Sequence, residues 1–93
     1  MEEVLKGHLY TLNGNNSLRF MKRVAGKMEY DGTTNEEVLE VLLNRLNYLQ
    51  EKLPCQENTI AIHHISTALS ALKLRTQKRE VQLVETTDIP HRS

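Results

Sequence analysis

Two stretches of helical periodicity meeting at Pro54 constrain this chain more than any other feature. Leu39, Leu42, Leu46, Leu49 and Leu53 recur at alternating steps of three and four residues, the pattern of a helix packed nearly parallel or antiparallel to another. Beyond Pro54, the positions Ile62, Ile65, Leu69, Leu72 and Thr76 keep that spacing with Ala68 beside them, so a second helix carries one apolar face. Proline lacks the N–H that would continue the first helix and its ring clashes with the preceding turn, so the first helix stops there. The connection is short, and the two helices must fold back as an antiparallel hairpin. Leu43 widens the first seam, while Val38, Val41, Arg45 and Tyr48 form a second stripe next to it, which gives the first helix two partners rather than one.

Both helices carry end signals. Thr34 as N-cap places Glu37 at the third helical position, the reciprocal arrangement of a capping box, and a helix is predicted over residues 34–53. The second is predicted over 55–79, with Glu57 near its positive end and Lys73, Arg75, Lys78 and Arg79 near its negative end. After Arg79 the apolar periodicity is lost, and residues 80–93 read as a short strand or a frayed tail.

Upstream, VLKGHLYTL at residues 4–12 favours a strand, and Asn13-Gly14-Asn15-Asn16 supplies residues that tolerate positive φ, as a hairpin turn requires. A second strand is expected from Ser17 to Val24, while Ala25 to Tyr30 reads as further strand or loop, and Asp31-Gly32 marks the next turn. The expected fold is α+β: a β-hairpin region over residues 4–30 followed by the two-helix hairpin, in one domain spanning 1–93. A chain of 93 residues sits near the lower limit for burying an adequate core alone, so dimerisation through the helices is expected.

Twelve basic and twelve acidic residues balance to zero, which argues against a dedicated binder of nucleic-acid polymers. The single cysteine, Cys55, excludes an internal disulfide and favours a reducing compartment. Neither a signal peptide nor an apolar stretch long enough to span a membrane is seen, so no membrane partner is expected.

Catalytic signals are weak. His63 and His64 are adjacent on a helix and point about 100° apart, so they do not readily ligate one metal from one chain. Cys55 lies at a helix start, where its thiol could be activated, yet no base stands at a suitable spacing. No glycine-rich phosphate loop and no H-E-x-x-H pattern occurs. No catalytic residue, metal or cofactor is expected.

The polar residues at the helix ends are more informative. In a hairpin, Tyr48 at the close of the first helix meets Asn58 at the start of the second. Arg75 and Arg79, four apart, share a face on which two guanidinium groups could bracket phosphates. Asn58 and Arg75 are seventeen positions apart, about 25 Å along a helix, too far for one small ligand to bridge within one chain. An antiparallel second copy removes that separation, placing the arginines of one subunit beside Tyr48 and Asn58 of the other in two equivalent pockets. The alternative is that the arginines only cap the helix dipole and stay solvated.

The run G-T-T-N-E-E-V-L-E-V-L-L-N-R-L from Gly32, then P-C-Q-E-N-T-I-A-I from Pro54 and L-K-L-R-T-Q-K-R ending at Arg79, resembles the helical-hairpin domain shared by phage anti-CBASS and Thoeris anti-defence proteins. Its most specific parts are Glu57-Asn58 and the R-T-x-x-R of Arg75 to Arg79, and it is closest to the Thoeris branch. The resemblance implies a nucleotide sponge in the cytoplasm of an infected bacterium, holding a host cyclic nucleotide without cleaving it. The implied ligand is a cyclic ADP-ribose isomer, with cyclic di- and trinucleotides held at separate sites in some hexameric relatives, which are trimers of dimers. The implied ligand-binding residues are Tyr48, Asn58, Arg75 and Arg79 at a homodimer interface. Gln56 where an Arg is usual, Ile65-Ser66-Thr67 where more acid is common, and the lack of a glycine-rich basic ending depart from that pattern and leave open which cyclic nucleotide is bound. Two other readings are a helical dimerisation module that binds protein through the Val38, Val41 and Tyr48 stripe, and a nucleotide hydrolase.

Overall fold

A computed structural model describes residues 1–24, 27–29 and 31–88, with side chains described for 1–22 and 31–80. The elements run in the order β1 (Glu2–Leu5), β2 (Leu9–Thr11), β3 (Ser17–Arg19), β4 (Lys22–Val24), β5 (Lys27–Glu29), α1 (Asn35–Lys52) and α2 (Gln56–Asp88). The α+β class holds. By packing the chain forms two compact units, Met1–Val38 and Leu39–Ser93, divided inside the first turn of α1.

In the first unit the expected hairpin is present as β2 and β3, antiparallel with Tyr10 opposite Leu18. Its turn is a single 3-10 turn over Asn13–Asn15, in which Gly14 and Asn15 take φ of 72° and 64°, the left-handed values that the Asn-Gly-Asn cluster accommodates. The single strand expected over residues 4–12 is instead two, because the chain turns at Lys6-Gly7-His8 and β1 pairs antiparallel with β2, giving a three-stranded sheet in the order β1-β2-β3. The β1–β2 turn is closed by Gly7 at φ 73° and by its N–H donating to the Glu3 carboxylate at 2.9 Å. The second strand does not continue unbroken to Val24. β3 ends at Arg19, and β4 pairs with β5 in a separate two-stranded sheet. The reading of residues 25–30 is met at β5, while Ala25, Gly26 and Tyr30 lie outside the described residues.

Phe20 forms a parallel bridge with Thr33, and the Thr33 N–H donates to the Arg19 carbonyl at 2.8 Å. Gly32 fits there because it has no side chain: a Cβ would stand 2.6 Å from the Arg19 carbonyl oxygen. Tyr10 and Phe20 pack edge to face with centroids 6.0 Å apart, a favoured aromatic geometry.

Thr34 caps α1 as expected, its hydroxyl accepting the Glu37 N–H at 3.1 Å. The Glu37 carboxylate accepts the Thr33 hydroxyl, where a full capping box would instead return it to the Thr34 N–H.

In the second unit α1 and α2 run antiparallel. Glu40 near the start of α1 lies 3.8 Å from Lys73 at the middle of α2, and Gln50 near the end of α1 bonds Thr59 near the start of α2. The covered stripe of α2 includes Asn58, Ile62, Ile65, Leu69, Leu72 and Thr76, as its spacing predicts. The stripe of α1 is Leu39, Leu43, Leu46 and Leu49, with Leu42 turned outward. A straight helix has 3.6 residues per turn and drifts off a strict 3.5-residue seam, so the 4-3-3 row through Leu43 faces α2. Leu53, expected in the seam, lies past the last residue of α1 and is 78% exposed.

Helix α2 runs well past Arg79. Residues 80–88 are helical rather than strand or tail. Residues 89–93 lie outside the described residues.

Candidate functional site

Three residues hold the turn between the helices. The Gln50 side-chain amide accepts the Cys55 N–H at 3.1 Å through its oxygen and donates through its nitrogen to the Thr59 hydroxyl at 2.8 Å. That hydroxyl donates in turn to the Cys55 carbonyl at 3.3 Å. Pro54 has no N–H to give, so the turn's polar connections pass through Gln50 and Thr59. The clamp fixes the end of the hairpin at which Tyr48 and Asn58 sit.

Tyr48 lies in the last turns of α1, 50% exposed. The Arg45 guanidinium carbon is 5.8 Å and the Lys52 ammonium 5.5 Å from its ring centroid, both within cation–π range. Asn58 is half-buried in the first turn of α2. Tyr48 and Asn58 therefore both lie toward the turn end of the hairpin, on separate helices.

Arg75 and Arg79 lie one helical turn apart on α2 and are exposed. Among the described residues neither has an ion-pair partner, whereas Lys73, two residues before Arg75, meets Glu40. Because α2 continues to Asp88, both arginines are interior to the helix and no basic residue occupies its last turn. The favourable interaction of a cation with helix carbonyls fades beyond the last turn, so dipole capping does not account for their placement. Nor does one chain bring them to Asn58, given about 25 Å of helix between.

The remaining candidates are isolated. Cys55 is exposed with a free thiol. His63 and His64 meet edge to face with ring centroids 5.4 Å apart, and no cluster of three metal-ligating side chains occurs among the described residues. No helix among the described residues is long and apolar enough to cross a membrane.

Gln50, Thr59 and Lys52 are not among the residues that the sequence pattern singles out. Lys52 was within reach, since Arg45 and Lys52 stand three before and four after Tyr48, the spacings at which helical side chains meet. Gln50 and Thr59 had no such signal, because their contact crosses the turn.

No family model matches the chain, and no solved structure matches it. Among curated proteins it is similar to Thoeris anti-defense 1 of Bacillus phage SBSphiJ7, with 38% identity over 58 residues, which is 61% of this chain and 41% of that protein. The chain thus spans about two fifths of the length of the curated relative it matches. The likeness to the Thoeris branch expected from the sequence is borne out by that similarity.

Proposed function

We propose that this chain, similar to a phage Thoeris anti-defense protein, acts in phage anti-defence by binding and sequestering a cyclic nucleotide of the host immune signal without cleaving it. The observation that carries this reading is the placement of Arg75 and Arg79: two exposed guanidinium groups one turn apart, without an ion-pair partner among the described residues, in the interior of a helix that does not need them there. Such a pair suits two phosphate groups, each held by charge-assisted hydrogen bonds. Tyr48 stacks on the base and Asn58 reads polar atoms of base or ribose.

The site is completed by a second copy of the chain. Leu69, 7% exposed, is the one buried residue among those whose side chains are described, which is little core for two helices. An antiparallel partner supplies further burial and brings its arginines to Tyr48 and Asn58, so each dimer holds two equivalent pockets. The occupant is a diphosphate-bearing cyclic nucleotide of the cyclic ADP-ribose class. Enclosure between subunits lowers its free concentration, and the host effector stays inactive.

The test is to incubate the protein with cyclic ADP-ribose isomers and cyclic dinucleotides, remove free ligand, denature the complex by heat and analyse what is released. Recovery of intact ligand supports sequestration, whereas a cleaved product would assign a nucleotide hydrolase instead.

A second reading has an observation of its own. Val41 at 66% exposure and the half-exposed Tyr48 share one stripe of α1, which suits a protein-binding module. Native mass spectrometry with the same ligands separates the two, since a protein-binding module shows no ligand-bound mass.

A further inference from the structure

We infer that Arg45 and Lys52 contact phosphate groups of the same nucleotide whose base stacks on Tyr48, so the subunit that offers the aromatic ring also offers two cations. This rests on the nucleotide-binding reading above and adds two residues to it.

Spacings of three and four put Arg45, Tyr48 and Lys52 on one stripe of α1, with both cations within 6 Å of the ring centroid: 5.8 Å for Arg45 and 5.5 Å for Lys52. Neither is engaged in an ion pair among the described residues. The helix dipole accounts for Lys52, which is in the last turn of α1, but not for Arg45, which lies well inside the helix. A cation over an exposed ring is held weakly, because water competes for it. A phosphate offers the same groups charge-assisted hydrogen bonds, and a base on Tyr48 brings its own phosphates beside them. The cations then move from the ring to the ligand, and the ring face becomes free for stacking. A full pocket would thus hold two cations from each subunit, Arg45 and Lys52 from one and Arg75 and Arg79 from its partner. That set favours a nucleotide with two or more phosphates over one with a single phosphate or none.

The test is calorimetric titration of the full chain with cyclic ADP-ribose, cyclic di-AMP and, as a single-phosphate control, cyclic AMP. Arg45→Gln and Lys52→Gln should each weaken binding of whichever doubly phosphorylated probe the wild type takes by roughly tenfold, the scale of one lost charge-assisted hydrogen bond. The loss should shrink in high salt, which screens exposed charge. Arg45→Lys should keep most of the affinity. Circular dichroism checks that the helices persist. Acetylation of the unaltered protein gives a readout free of mutation: Lys52 should be protected by saturating probe, while Lys6 in the other unit reacts as before. If the wild type binds and Arg75→Ala abolishes binding, but both Gln variants titrate as wild type and Lys52 is unprotected, this inference is wrong and the sequestration reading stands. If the wild type binds none of the probes, both fall.

Discussion

Gln50 and Thr59 join α1 to α2 across the Pro54 turn through a 2.8 Å hydrogen bond from the Gln50 amide nitrogen to the Thr59 hydroxyl. The same Gln50 amide accepts the Cys55 N–H, so one side chain holds two points of the connection. Thr59 is exposed and Gln50 only half-buried, so water can replace what is lost, which puts Gln50→Ala at about 1 kcal/mol in thermal unfolding. A double-mutant cycle with Thr59→Val isolates the pair, and a coupling near zero would show that the turn is held by its backbone alone.

Leu69 and Leu53 should respond in opposite ways. Leu69→Ala empties the most buried position of the hairpin and is expected to cost about 2–5 kcal/mol, enough to unfold a unit this small. Leu53→Ala, at a site 78% exposed, should leave the chain's melting temperature within a degree or two. A large loss at Leu53 that deepens on dilution would place that residue in a contact between chains.

Gly32→Ala should disrupt the first unit while the helices of the second persist. The added carbon meets the Arg19 carbonyl oxygen and the Phe20 carbonyl carbon at 2.6 Å, and backbone does not move aside cheaply. Amide exchange would report it as lost protection at Met21 and Thr33, whose N–H groups bond across this junction, with protection in α2 unchanged.

The proposed pocket, shared between two chains, makes a prediction that a single-chain site cannot imitate. Asn58→Ala and Arg75→Ala should each abolish tight binding alone. Mixed and allowed to exchange, they should recover about a quarter of the wild-type stoichiometry, because half the dimers are mixed and each has one intact pocket of two. No recovery despite subunit exchange shown by mass would rule out a site built from two chains.

The ion pair of Lys73 with Glu40 is expected to matter little. Both side chains are about half exposed and 3.8 Å apart. Removing either by Lys73→Met or Glu40→Gln should change stability by about 1 kcal/mol or less, diminishing further as salt is added.

Most of the helical unit was legible in the sequence because each of its signals is local. Thr34 and Glu37 are three residues apart, Pro54 stops a helix by its own covalent structure, and the stripe from Ile62 to Thr76 repeats within one segment. Residues 80–88 show where that kind of reading fails. Apolar periodicity reports that a helix has something to pack on, not that the backbone is helical, and KREVQLVE is rich in residues that favour helix without forming a face. The break between β1 and β2 escaped for a different reason: it depends on Gly7 and the Glu3 carboxylate closing a turn that carries no Asn-Gly signal. Of the proposed site, Tyr48, Asn58, Arg75 and Arg79 could be named because spacing and resemblance converge on them. Gln50 and Thr59 could not, since nine positions of chain separate two groups that only the folded turn brings within 2.8 Å.

The near absence of buried side chains in the hairpin, with Leu69 alone below a tenth exposed among those described, bears on how much protein a cell must contain before it has any binding capacity. If two chains are needed to complete each pocket, dilution removes pockets as well as protein. Below the dissociation constant of the dimer the number of pockets rises with the square of the chain concentration, and above it in simple proportion. Ligand present at saturating amounts would pull the association forward, because it binds only the assembled form. Capacity would then appear abruptly as the chain accumulates, and the host signal would itself help to assemble the molecule that removes it.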